Sequence, residues 1–143
     1  YNNMQDNGYN MNKIKAIYHN KALLGLMKKD NFVYDMVVVD QFTPERNYYN
    51  YLKSEPNVFR KIKFTTKAED KCLSVACSSI ISRYLFLKEI EKIGNSLGSF
   101  IPKGASTLVD DYGKKIVQNF GKEKLRSIAK LNFKNTEKIL NEN

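Results

Sequence analysis

Four apolar residues in a row, Met36-Val37-Val38-Val39, end on Asp40 and are followed by Gln41-Phe42. A short continuous apolar run, largely β-branched, that stops at an acidic residue predicts a strand over 35–40 buried on both faces. Upstream, Ile14, Ile17, Ala22, Leu23 and Leu24 recur at helical spacing and predict a helix over 13–29. Asn12 is its expected N-cap, Lys28-Lys29 suit its C-terminal dipole, and Asp30-Asn31 end it. Residues 1–10, rich in Asn, read as an irregular lead-in. Thr43-Pro44-Glu45 starts a short helix with Pro in its first turn, carrying Tyr48, Tyr49, Tyr51 and Leu52. These tyrosines are expected to pack rather than to stack on bases, and His19 is expected to be structural.

After a turn at 54–57, apolar Phe59, Ile62 and Phe64 are interspersed with basic Arg60, Lys61 and Lys63, which predicts a second strand over 58–66 near a sheet edge. A long helix follows, opened by Glu69 and running to about residue 93. Leu73, Ala76, Cys77, Ile80, Ile81, Tyr84, Leu87 and Ile90 form its apolar stripe, and Ser74, Ser78 and Ser82 a row of small residues. The N-terminal half of this helix is therefore expected to be buried on two sides, with Cys72 and Cys77 as buried free thiols. Residues 94–106 read as a loop. Three short helices are predicted over 108–119, 122–129 and 135–140, with Gly121 between the first two and Asn132 as a stop or cap. Helix, strand, helix, strand and then helices is an α/β order with a helical C-terminal tail.

Charge narrows the partners. The 143 residues include 24 Lys+Arg against 15 Asp+Glu, a net charge of +9, which favours a polyanion such as nucleic acid. That length suits one domain. No run of about 18 apolar residues predicts a membrane span. The two cysteines are five apart and poorly placed for a disulfide, which suits a reducing, cytoplasmic compartment. One histidine cannot build a His-based metal site, so a bound metal would be a hard cation on oxygen ligands. The chain begins at Tyr1 in a polar segment without signal-peptide character, and the expectation is that residues upstream belong with it.

Asp40 and Glu69 stand at corresponding places, each after a predicted strand and at or before a helix. If the strands are neighbours, both acids reach one edge of the sheet, where ligands of open α/β sheets sit. Paired carboxylates on a basic protein suit Mg²⁺ acting on a phosphodiester, although two carboxylates are too few for two ions. The alternatives are equally ordinary: Asp40 as a turn residue and Glu69 as an acid in a helical first turn.

The motifs Val37-Val38-Val39-Asp40-Gln41-Phe42, Tyr48-Tyr49-Asn50-Tyr51-Leu52, Thr66-Lys67-Ala68-Glu69, Ser78-Ser79-Ile80-Ile81-Ser82-Arg83-Tyr84, Pro102-Lys103-Gly104-Ala105 and Ala129-Lys130-Leu131-Asn132-Phe133 occur in that order. Together with Asn12-Lys13-Ile14-Lys15-Ala16 and His19-Asn20 they resemble bacterial ribonuclease HIII, a type 2 ribonuclease H, along essentially the whole chain. The resemblance implies a ribonuclease H-like α/β fold and cleavage of the RNA strand of RNA–DNA hybrids with Mg²⁺ or Mn²⁺. The family's site has four acids. Asp40 matches the third, the Asp before Gln-Phe, and Glu69 matches the fourth, the Glu of Thr-Lys-Ala-Glu.

The family's first two acids are an adjacent Asp-Glu pair, and no Asp-Glu step exists in this sequence. The resemblance therefore implies a partial fold lacking the first strands: the C-terminal portion of the catalytic domain, residues 1–143, with half the acidic site and inactive alone. Its partners would be the hybrid and the missing N-terminal part of the same enzyme, the full enzyme being a monomer away from membranes. Asn12, Lys13, Lys15, Lys67, Lys103 and Gly104 are the candidate substrate-binding residues. In the sister ribonuclease HII a tyrosine follows the Lys-Gly step; Ala105 stands here, which argues against that family's single-ribonucleotide preference. Two other readings are a non-catalytic basic nucleic-acid-binding module and an incomplete fold that needs a partner chain to cover a sheet edge.

Overall fold

The computed structural model describes residues 1–29, 31 and 33–141. In chain order its elements are α1 (Asn2–Asp6), α2 (Met11–Met27), β1 (Val37–Asp40), α3 (Glu45–Tyr51), β2 (Ile62–Thr65), a 3₁₀ turn (Ala68–Asp70), α4 (Leu73–Ser96), α5 (Thr107–Phe120), α6 (Lys122–Ile128) and α7 (Lys134–Asn141). They fall into two compact units, Asn7–Ser82 and Tyr1–Asp6 with Arg83–Asn143.

In the unit Asn7–Ser82, α2 starts two residues before the predicted point. Its N-cap is Asn10, whose side chain accepts the Lys13 N–H at 2.8 Å. Asn12, the expected cap, instead lies in the first turn. Asp30, the expected helix breaker, lies outside the described residues. Ile14, Ala16, Ile17 and Asn20 form the buried face of α2. Asn20 is polar yet fully satisfied there: Nδ2 donates to the Asn57 carbonyl at 2.8 Å and Oδ1 accepts the Phe59 N–H at 2.9 Å. This side chain ties the lead-in of β2 to α2, and its two bonds offset the cost of burying an amide.

The strands pair in parallel, Val37 with Ile62 through Asp40 with Thr65. Both are shorter than predicted, because a strand extends only as far as its ladder has a partner. Only Val39 of β1 is buried; Val37 and Val38 are half-buried. The expectation of a strand buried on both faces is thus corrected: side chains alternate between the two faces of a strand, and the half-buried Val38 shows that the face opposite the one bearing Val39 is only partly covered. Pro44 stands at the N-cap of α3 rather than in its first turn, and its carbonyl accepts the N–H groups of Asn47 and Tyr48. Tyr48 and Leu52 are fully buried. Tyr48 meets Phe42, Tyr49 and Phe64 edge-to-face at centroid distances of 6.1, 5.3 and 5.0 Å. The packing role expected for the tyrosines holds for Tyr48, while Tyr49 is half-buried with its hydroxyl donating to the Arg60 carbonyl at 3.1 Å.

Glu69 does not open the long helix. It sits in the separate 3₁₀ turn, and α4 begins at Leu73. The apolar stripe of α4 is not buried either: Leu73 is 80 % exposed, Ile80 70 %, and Ile81 and Tyr84 58 %. Cys77 is exposed and Cys72 half-buried, both free, so the expectation of two buried thiols is corrected as well. A helical stripe records which face favours burial, whereas burial itself requires a second surface.

The other unit opens with α1, where an irregular lead-in was predicted. Five residues are too few to hold a helix by propensity, and tertiary bonds hold it instead. Asn2 Nδ2 donates to the carbonyls of Arg126 and Ala129 at 2.7 and 2.8 Å, and its Oδ1 accepts the Leu131 N–H at 3.1 Å. Arg126 pairs with Asp6 and donates to Asn3. The core of this unit is Ile116, Leu125 and Ile139, from α5, α6 and α7. Gly113 allows the close contact of α5 with α7, since a Cβ there would lie 2.5 Å from Ile139 Cδ1.

Candidate metal centre

Parallel pairing brings the C-terminal ends of β1 and β2 to the same side, with Asp40 opposite Thr65. The ladder continues one step further, where the Gln41 N–H donates to the Thr65 carbonyl at 3.0 Å. After Thr66 the chain turns through Lys67, in the left-handed region at φ 51°, and enters the 3₁₀ turn. Ala68 is fully buried, and its N–H donates to Asp40 Oδ1 at 3.0 Å. Asp40 is thereby held by the amide immediately before Glu69, so the two acids share one end of the sheet. Both residues are exposed.

Lys67, also exposed, lies between Thr66 and this turn. Lys15 approaches from α2, with Nζ 5.4 Å from the ring centroid of Phe42, two residues past Asp40. Lys13 instead sits 3.7 Å over the Tyr9 ring, and Asn12 is half-buried beside it. Lys103 and Gly104 belong to the other unit, where Lys103 Nζ lies 5.9 Å from the Phe100 ring and Gly104 takes a positive φ of 100°. Asp40, Glu69, Lys67 and Lys15 are thus associated with one end of one unit.

His19 packs edge-to-face on Phe42, with centroids 5.2 Å apart. Burial, and next the nearby Lys15 ammonium, lower its pKa below the ordinary 6.5. The fold therefore holds the neutral ring. The associated stability is full above the ordinary value and is lost as pH falls through the depressed folded value, because the unfolded chain binds the proton more readily. His19→Gln should flatten the fall in thermal midpoint between about pH 7 and about pH 5, as followed by circular dichroism. An unchanged slope would remove His19 as its source.

Among the described residues no group of three or more His, Cys, Asp or Glu side chains converges. The local donor set is two carboxylates. Carboxylate oxygens suit Mg²⁺ or Mn²⁺, but two side chains fill only part of the shell of such an ion. A metal held here would have to take its remaining ligands from water, substrate or other residues.

Three features of this end were not read from the sequence: the Ala68 amide as the anchor of Asp40, the backbone of Lys67, and Lys15 over Phe42. The Asn20 pin had a usable signal, a polar residue three after Ile17 and six after Ile14 on the apolar face of α2.

The family model for ribonuclease HII matches residues 1–136. Ribonuclease HIII of Phytoplasma mali (strain AT) is 45 % identical over 142 residues, an alignment covering 96 % of this chain and 48 % of that protein. Ribonuclease HIII of Bacillus subtilis (strain 168) is 40 % identical over 139 residues, covering 96 % and 44 %. Among solved structures, Bst-RNase HIII in complex with Mn²⁺ matches with a TM-score of 0.92 at 36 % identity, over 99 % of this chain and 46 % of that one. The expected α/β architecture is the one observed, and the chain spans about half the length of the relatives it matches.

Proposed function

Because this chain belongs to the ribonuclease HII family, we propose that it is the C-terminal portion of the catalytic domain of a metal-dependent endoribonuclease, one that cuts the RNA strand of RNA–DNA hybrids. The observation that carries this reading is the hydrogen bond from the Ala68 N–H to Asp40 Oδ1, which ties Asp40 to the turn bearing Glu69. Asp40 and Glu69 are read as two of the acids of the site. The others are supplied by an N-terminal part of the same enzyme that carries the Asp-Glu pair absent from this sequence.

Asp40 and Glu69 would hold Mg²⁺ or Mn²⁺, which supplies activation of water and neutralisation of charge on the phosphate. The match to an Mn²⁺ complex of Bst-RNase HIII supports that choice of ions. The chain's own contribution is orientation and charge. The Ala68 amide fixes one carboxylate oxygen of Asp40. Lys15 and Lys67 would offer ammonium groups to the phosphates of the bound strand, with Asn12 and Lys13 of the same unit as further contacts; Lys103 and Gly104 are candidate contacts carried by the other unit. Such contacts are independent of base sequence and weaken as salt rises. The complete enzyme is read as a cytoplasmic monomer; no helix among the described residues is long and apolar enough to cross a membrane.

The test is cleavage of an end-labelled RNA–DNA hybrid in Mg²⁺ or Mn²⁺. The chain alone should cut no faster than buffer, and adding the N-terminal half of a relative's ribonuclease HIII should produce cleavage. Robust cutting by the pure chain overturns the half-site reading. The net charge of +9 also suits a second reading, a non-catalytic binding module. That reading gains if hybrid binding survives Asp40→Asn with Glu69→Gln while the supplemented mixture never cuts.

A further inference from the structure

Two residues other than glycine have positive φ among the described residues, Asn31 and Lys67. Asparagine tolerates the left-handed region, because its short polar side chain can bond locally. Lysine has no such compensation, and the region is sterically disfavoured for it. An outlier of this kind persists only where its surroundings hold it, and around Lys67 they do. The Asp70 N–H donates to the Lys67 carbonyl at 3.2 Å, and the N–H groups of Lys71 and Cys72 donate to the Ala68 carbonyl at 3.1 and 2.9 Å. Lys71 Nζ donates to the Thr66 carbonyl at 2.8 Å. The chain leaves β2 at Thr65, opposite Asp40, and two residues later it has turned enough for the buried Ala68 to present its N–H to the Asp40 carboxylate. An extended or right-handed residue at 67 would send that amide elsewhere.

We propose that Lys67 is a positioning residue that acts through its backbone: its left-handed turn delivers the Ala68 amide to Asp40 Oδ1 and so sets Glu69 beside that carboxylate. This rests on the reading of Asp40 and Glu69 as the metal-holding pair. It assigns Lys67 a task separate from any contact its ammonium makes with phosphate. Substitution separates the two. Glycine and asparagine remove the charge and keep the left-handed region accessible, whereas valine removes the charge and closes it.

The experiment compares the full 143-residue chain with Lys67→Gly, Lys67→Asn and Lys67→Val in two readouts. One is hydrogen exchange of the Ala68 amide by NMR, with the Tyr48 amide as an internal reference for global opening. The other is Mn²⁺ affinity, from the free-ion signal in electron paramagnetic resonance. Lys67→Gly and Lys67→Asn should stay within about twofold of the parent in both. Lys67→Val should speed Ala68 exchange relative to Tyr48 and weaken Mn²⁺ on the order of tenfold, as the competent turn becomes a minor state. Asp40→Ala, with Lys67 intact, should speed Ala68 exchange in the same way. If Lys67→Val does not fold, Lys67→Ala should fall between the parent and Asp40→Ala in Ala68 exchange. The proposal is overturned if Lys67→Val matches Lys67→Gly, or if Lys67→Gly loses as much as Lys67→Val. No Asp40-dependent Mn²⁺ binding even with the N-terminal half of a relative's ribonuclease HIII supplied would instead overturn the metal reading, and the ranking of Ala68 exchange would still decide the role of the turn.

Discussion

Asp40→Asn should lower hybrid cleavage by at least about a thousandfold when the chain is assayed with the supplied N-terminal half. Under the proposed metal-holding role of Asp40, the magnitude follows from the loss of an anionic ligand at the point where charge develops, which is worth several kcal/mol of barrier. The substitution is nearly isosteric, and the amide oxygen of asparagine can still accept the Ala68 N–H that Asp40 Oδ1 accepts now. The fold should therefore survive, with a thermal midpoint within a few degrees of the parent's. This pairing of outcomes separates chemistry from stability. Glu45→Gln is the control: Glu45 is exposed in the first turn of α3, and its loss should leave cleavage unchanged. Full activity in Asp40→Asn would remove Asp40 from the site.

Tyr48→Ala should cost about 3–5 kcal/mol of unfolding free energy in a urea titration, the range for emptying a large buried aromatic site. Tyr48 is fully buried and is the ring that Phe42, Tyr49 and Phe64 all meet. Phe42 lies just past the end of β1 and Phe64 on β2, so a cavity at Tyr48 loosens the support of the sheet end that carries Asp40. Tyr48→Phe should behave oppositely. No protein group among the described residues bonds the buried Tyr48 hydroxyl. Burial first, and the neighbouring Tyr49 next, push its pKa up to about 12, so it stays neutral throughout the working range. Removing an unsatisfied hydroxyl from a packed site is close to neutral or stabilising by about 1 kcal/mol. A loss of more than about 1 kcal/mol in Tyr48→Phe would mean that the hydroxyl has a partner in solution.

Much of the architecture was readable from side-chain order alone. The run ending at Asp40, the alternation before Thr65 and the period of α5, α6 and α7 placed these elements to within a few residues of where they stand. Each of the two acids follows a strand in the sequence; parallel pairing puts Asp40 at the C-terminal end of the sheet, and the Ala68 amide ties it to the turn that bears Glu69. The errors have a common character. Residues 1–10 look polar and irregular, yet Asn2–Asp6 is helical because Asn2 and Arg126 bond across more than a hundred residues of chain. Glu69 looks like the first residue of a long helix, yet the chain closes a 3₁₀ turn there and starts again at Leu73. The apolar stripe of α4 is present as a pattern, yet Leu73, Ile80 and Ile81 stay exposed.

The sequence by itself determined the periods of the elements, the basic charge and the identity of the two acids, since each is a property of neighbours along the chain. Only the tertiary structure decided that a backbone amide holds Asp40, that Lys67 turns left-handed to present it, and that Leu73, Ile80 and Ile81 face outward. A residue's type records what it favours locally. Which amide reaches a carboxylate and which surface covers a helix depend on segments that approach only in the fold, and no single stretch of sequence specifies both sides of such a contact.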